Sequence, residues 1–243
     1  MSMRILKTLR SLFSNNRVSQ HPLITHNNQY FKTCSHHQPI SKCDFVVFDT
    51  ELTGLDEKKD EIIAIGAVRI RDFRLQCSET FYALIRPEDK LHSQSTLVHR
   101  ITPGELMEAK SLDVVLPQFL EFCGDSFLVG HYVRLDLAFI NRACRRLLGG
   151  QIKTPYLDTM RLAMAYNEFR HGHYFDHYNI HSSYNLTALG KEYGLPVFGQ
   201  HNAMQDSLQT AYLFLYLAKK MKQYGPMTLH DFLHAGRQWK IIL

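Results

Sequence analysis

No stretch of this 243-residue sequence holds the roughly 20 consecutive apolar residues that a membrane-crossing helix needs. The N-terminus also lacks the continuous apolar core of a secretory signal, so secretion is not expected. The five cysteines (Cys34, Cys43, Cys77, Cys123 and Cys144) are dispersed, odd in number and free of any C-x-x-C pair. That argues against a disulfide framework and fits reduced thiols in the cytoplasm. Internal repeats are missing too. Acids are absent from residues 1–43, which carry six basic side chains, while the remainder holds 22 basic and 23 acidic residues. The formal net charge of +5 is therefore a property of the N-terminal segment. A uniformly basic, nucleic-acid-coating protein is excluded, and a local patch on the body is not.

The length suits one large domain or two small ones, with a sizeable core. Residues 3–13 place Ile5, Leu6, Leu9, Leu12 and Phe13 on one helical side. A helix docked on the body, a membrane-surface or partner-binding helix, and an organellar transit peptide all fit that pattern. Residues 14–43 are polar and read as an irregular arm. Three regions follow: a basic N-terminal helix and arm over 1–43, a central domain over 44–224 and a C-terminal extension over 225–243. Within the central domain, strands are expected at Phe45–Asp49, Glu61–Arg71, Leu75–Arg86, Phe127–His131 and Tyr156–Asp158. Helices are expected at Leu112–Cys123, Leu135–Leu148, Thr159–Asn167, Leu186–Tyr193 and Asn202–Met221. That order predicts an α/β domain, antiparallel on one side of its sheet and parallel on the other.

The first strand ends on Asp49-Thr50-Glu51. Residues i and i+2 share a strand face, so two carboxylates point the same way. Such neighbours repel by roughly 1 kcal/mol even in water, and a cation relieves the repulsion. A solvated strand end is the plain alternative. Asp136 falls in the first turn of a helix, where the dipole favours an acid in any case. Asp206 falls early in the last long helix, five residues after His201. If His201 lies on the loop before that helix, it can fold over a site lined by Asp206.

The order is acid-x-acid at a strand end, an acid about 85 residues on, then His-x4-Asp about 65 residues later. This order resembles the DEDDh group of 3′–5′ exonucleases, the family of the DNA polymerase III epsilon proofreading subunit, over about residues 44–220. Phe48–Leu55 is similar to the first family motif, with Leu52 where Thr is usual. Ile62–Val68 matches the second strand, and Val98–Thr102 matches a helix end, with Arg100 in place of Gly. Gly130–Ile140 corresponds to the second motif, with Tyr132 for Asn and Leu135 for Phe. Leu157-Asp158-Thr159 also fits.

The resemblance implies a ribonuclease-H-like fold, with a mixed central sheet of about five strands flanked by helices. Asp49, Glu51, Asp136 and Asp206 form an all-carboxylate set suited to Mg²⁺ or Mn²⁺ rather than Zn²⁺. The family implies two such ions, in-line phosphodiester cleavage, and His201 as the base that takes the proton of water. The expected activity is removal of 3′-terminal nucleotides as 5′-monophosphates from single-stranded ends, with DNA favoured. An exoribonuclease trimming RNA ends is the second enzyme reading, and a catalytically silent nucleic-acid-binding module is a third reading of another class. By resemblance, Thr50, Leu52, Leu55, Val98 and His99 contact the terminal nucleotide, while Tyr132 offers an aromatic face to a base. No polymerase domain is recognisable, so proofreading would need a DNA polymerase partner in trans. Asp158 reads as structural. Cys34, His36, His37 and Cys43 match no zinc-site spacing. His171, His173, His177 and His181 read as a loop edging the cleft. Arg142, Arg145 and Arg146 read as a solvated helix face, with phosphate contact as the alternative.

Overall fold

The computed structural model describes residues 19–88, 101–171, 184–199, 201–225 and 227–235. The amphipathic segment 3–13 and the Val98-His99 pair lie outside them.

Strand β1 (Phe45–Leu52) opens with four consecutive apolar residues, all buried. Such a run needs cover on both faces, and alternate side chains serve two different cores. Phe45 and Val47 pack on one side with the later helices, and Val46 and Phe48 on the other with the earlier ones. β2 (Ile62–Arg71) lies antiparallel to β1, and β3 (Arg74–Arg86) antiparallel to β2. The turn between β2 and β3 is Asp72-Phe73, both with positive φ (46° and 59°), as a tight hairpin requires. β4 (Lys110–Ser111) runs parallel to β3, β5 (Phe127–Gly130) parallel to β1, and β6 (Tyr156–Asp158) parallel to β5. The sheet order is β4-β3-β2-β1-β5-β6. Six strands thus stand where five were expected, because β4 is two residues long and carries no readable alternation.

Helices cover both faces. α1 (Pro22–Thr33) precedes the sheet, and α2 (Pro103–Glu108) and α3 (Leu112–Cys123) follow β3. α4 (Arg134–Leu147) follows β5, and α5 (Thr159–His171) follows β6. α6 (Leu186–Glu192), α7 (Ala203–Met221) and α8 (Leu229–Ala235) complete the described chain. Ile101-Thr102 begins a helix rather than ending one: Thr102 caps α2 in a reciprocal box with Glu105.

Two segments differ from the expected arm and extension. Residues 22–33 form α1, whose Ile24, Asn27 and Phe31 are buried. Asn27 donates to Thr154 Oγ1 (2.7 Å) and accepts from the Lys153 N–H (2.9 Å), so one polar side chain ties the helix to the β6 side. Its moderate apolar content hides this docking from a periodicity reading. After residue 225, α8 buries Leu229, Phe232 and Leu233, and residues 36–40 pair with 227–230 through backbone bonds. All five cysteines are free. Among the described residues no helix is long and apolar enough to cross a membrane.

Candidate active site

The parallel strands β1, β5 and β6 bring their C-terminal ends to one edge, the usual place for ligands in such sheets. Asp49 and Glu51 stand at that edge on β1. Asp206 joins them from the first turn of α7, and ligand oxygens of the three lie within 4.8 Å of one another. The close approach depends on Gly66, which pairs with Asp49 across β1 and β2. A Cβ there would sit 2.3 Å from the Ala203 carbonyl carbon, so the bare glycine lets the start of α7 lie directly on the sheet. The Ser207 hydroxyl lies between two acceptors of this contact, Gly66 O at 2.7 Å and Ala203 O at 2.6 Å, and its one proton is shared between them.

Asp136 is buried at the start of α4 and accepts from the Thr50 N–H (3.2 Å) and the Thr50 hydroxyl (2.5 Å). The structure therefore gathers three of the four expected acids, and holds the fourth one hydrogen bond away through Thr50. All four carboxyls are raised from their ordinary values, with burial the largest cause. For Asp49 the charges of Asp136, Asp206 and Glu51 add to it. Glu51 is pushed up to about 7 by burial and by Asp206 and Asp136, and Asp136 reaches about 7 despite its bonds from Thr50. Asp206 is raised by burial, against the backbone N–H bonds it accepts. None of the ion pairs among the described residues involves these acids. Acids crowded without a basic partner, and all oxygen donors, fit a hard divalent cation.

A recess of about 590 Å³ opens beside them, lined by Asp49, Asp206, His201, His131, Lys191 and the first turn of α6. His201 sits on the loop immediately before α7. Its φ of 60° is left-handed, and its N–H donates to Asp206 Oδ2 at 3.1 Å. A non-glycine residue held there costs of order 1–3 kcal/mol and persists only when neighbours fix it. Two imidazoles line the recess, and their roles divide. His131 Nε2 bonds the Tyr184 carbonyl (3.0 Å), and a carbonyl only accepts, so this nitrogen carries the proton. His131 Nδ1 meets the Thr159 hydroxyl (2.9 Å), and burial pushes the ring's pKa down to about 4. Both its nitrogens are engaged. The His201 ring has no hydrogen-bond partner among the described residues, so it is the imidazole free to take a proton.

The expected substrate contacts disperse. Thr50 is buried against Asp136, Leu52 packs on the core beside Phe48, and Leu55 is 75% exposed. Tyr132, at a φ of 56°, donates its N–H to Asp158 Oδ1 (3.1 Å) and borders a neighbouring recess rather than the one at Asp49. Asp158 also accepts from the Met160 N–H, a role in holding the turn. The arginine cluster is occupied within the protein: Arg142 on the Glu57 and Asp60 carbonyls, Arg145 on Gln151, and Arg146 on Glu88. Cys34, His36, His37 and Cys43 do not gather as a metal-binding group, and Cys43 Sγ faces Pro39 O. His173, His177 and His181 lie outside the described residues.

Sequence reasoning missed Gly66, Ser207, His131 and the α6 side of the recess. A glycine amid β-branched neighbours was the available signal for the first, since it marks close backbone approach. Ser207 and His131 carry no pattern of their own.

Comparison with known proteins agrees with this arrangement. A family model described as Exonuclease matches residues 46–214. A DNA polymerase III PolC-type from Thermotoga petrophila is 32% identical over 209 residues, which are 86% of this chain and 14% of that protein. The chain therefore spans about a seventh of the length of that curated relative. Among solved structures, E. coli Exonuclease I in complex with a dA16 oligonucleotide aligns at a TM-score of 0.66 and 18% identity, covering 79% of this chain and 43% of that one. The nuclease domain of 3'hExo, a DEDDh family member bound to rAMP, aligns at 0.60 and 20%, covering 77% and 96%. The fold is that of the ribonuclease-H-like exonucleases.

Proposed function

The chain belongs to the exonuclease family, and on that premise we propose that it removes nucleotides one at a time from single-stranded 3′ ends, releasing 5′-monophosphates, with DNA favoured over RNA. The observation that carries this reading is the convergence of Asp49, Glu51 and Asp206 at one end of the sheet, beside the His201 imidazole that lines the same recess. Asp49, Glu51 and Asp206, with Asp136 behind Thr50, would hold two divalent cations, Mg²⁺ or Mn²⁺. When bound, these supply Lewis-acid charge for an in-line displacement at phosphorus. His201, on the loop before α7 and lining the recess, takes the proton of the attacking water. Asp206 holds the His201 backbone in place, and Thr50 orients Asp136. The Thermotoga petrophila relative is named a DNA polymerase III, which supports DNA as substrate and a DNA polymerase as partner.

The test is digestion of 5′-labelled single-stranded DNA and matched RNA with Mg²⁺ or Mn²⁺ supplied. A ladder shortening from the 3′ end, with 5′-monophosphate products, is expected on DNA. A faster ladder on RNA moves the assignment to an exoribonuclease, and intact strands of both kinds refute nuclease activity. His201→Ala should lower turnover by about 10²–10⁴-fold while leaving Mn²⁺ affinity in place, whereas Asp49→Ala should damage both.

A further inference from the structure

A second trough, of about 930 Å³, runs beside the edge strand β6 and is walled by α1, α4 and α8. Five of its lining side chains are lysine or arginine and two are acidic. One of the two, Asp158, turns Oδ1 to the backbone N–H groups of Tyr132 and Met160. Lys32, Arg134 and Lys153 are exposed and enter none of the ion pairs among the described residues. Unneutralised cations converging on one concave surface raise the local concentration of a polyanion. A smaller hollow of about 250 Å³ shares Arg134, Asp158 and Arg161 with it and extends to Tyr132. Tyr132 is adjacent in the chain to His131, which lines the recess. Along Thr154–Asp158 the trough spans on the order of 13 Å at ~3.3 Å per residue, room for about two to four phosphates.

We propose that this trough binds the phosphate backbone of the single-stranded nucleic acid whose 3′ end occupies the recess, with Tyr132 at the junction. The inference rests on the exonuclease reading for the direction of the strand. Two of its walls, α1 and α8, lie outside the residues that the family model matches. It also gives one of the acid-free segment's cations, Lys32, a use.

The test compares the wild-type chain with Lys32→Glu/Lys153→Glu, and with Lys110→Glu/Lys219→Glu as a control carrying the same charge change elsewhere. Binding of a labelled single-stranded oligonucleotide of roughly 20 residues and of a trinucleotide is measured by anisotropy in EDTA, across salt concentrations. Removing two phosphate contacts should weaken the long strand by about tenfold or more and reduce the salt slope by about 1.4. The trinucleotide should be unaffected, and the control should bind as wild type. Equal weakening by the control, equal weakening for both lengths, or no weakening would each overturn the proposal. Because EDTA stops metal-dependent cleavage, the groove is read independently of catalysis. Salt-dependent binding through Lys32 and Lys153, without strand degradation on adding metal, would sink the nuclease reading alone.

Discussion

Gly66→Ala is the sharpest perturbation of the site, because it adds one methyl at a residue that carries no catalytic group itself. The new Cβ would stand 2.3 Å from the Ala203 carbonyl carbon and 2.4 Å from both its oxygen and the Met204 nitrogen. All three are backbone atoms, so no side chain can swing aside. Carbon contacts are comfortable near 3.5–4.0 Å, so the start of α7 must withdraw by about 1 Å. Asp206 and the His201 loop ride on that turn. Overpacking of this kind costs about 1–3 kcal/mol, and a 1 Å misplacement of catalytic groups costs about 10²-fold in rate. Urea unfolding should therefore show a loss near 2 kcal/mol, and the single-strand digestion rate at saturating Mn²⁺ should fall by about two orders of magnitude. Ser207→Ala is the control, since it deletes the bond to Gly66 O and leaves the packing. It should cost about 1 kcal/mol with little change in rate. A Gly66→Ala protein with a rate within about threefold of wild type would refute the claim that this glycine sets the position of Asp206.

Three further outcomes follow from the same geometry. Thr50→Val removes the hydroxyl bonded to Asp136 and should cost about 0.5–1.5 kcal/mol in metal-free urea unfolding below pH 7, where that carboxyl keeps its proton, and should lower the digestion rate, which Thr50→Ser should largely restore. Asn27→Ala leaves the Thr154 hydroxyl and the Lys153 N–H without their partner, so urea unfolding should report a loss of about 1–3 kcal/mol if α1 belongs to the folded body. Finally, Glu51 and Asp136 hold their protons to about pH 7 in the metal-free fold, whereas the unfolded chain releases them near 4. Between those values the folded state binds more protons, so metal-free stability should fall as pH rises from about 4.5 to 7. Added Mn²⁺ should raise the melting temperature more at pH 8 than at pH 5, and an equal rise at both would contradict the assignment of these acids as ligands.

The chemistry was legible in the chain because it is written in residue types that have few other uses together. Asp49 and Glu51 at a strand end, Asp136 opening a helix and His201 five residues before Asp206 all stand near where the periodicity put them. The strands and most helices were legible for the same reason, since alternation and 3.6-residue spacing record which face is buried. The missed elements lack that record. β4 is two residues long, and α1 is tied down by the amide of Asn27 rather than by a broad apolar stripe.

By itself, then, the sequence determined the α/β class, the order of the elements and the acids available to hold a cation. Tertiary structure alone decided which groups meet. Gly66 brings α7 against β2, so Asp206 reaches Asp49 and Glu51, while Thr50 takes up Asp136. Thr159 and the Tyr184 carbonyl engage both nitrogens of His131, whereas the His201 ring has no hydrogen-bond partner among the described residues. Arg142, Arg145 and Arg146 of α4 bond to other groups of the protein, while Lys32 and Lys153, distant in sequence, line one trough with Arg134. The physical reason is the range of each interaction. Secondary structure follows from neighbours along the chain, whereas this site depends on contacts such as Thr50–Asp136 and Gly66–Ser207, 86 and 141 positions apart, which packing alone brings within reach.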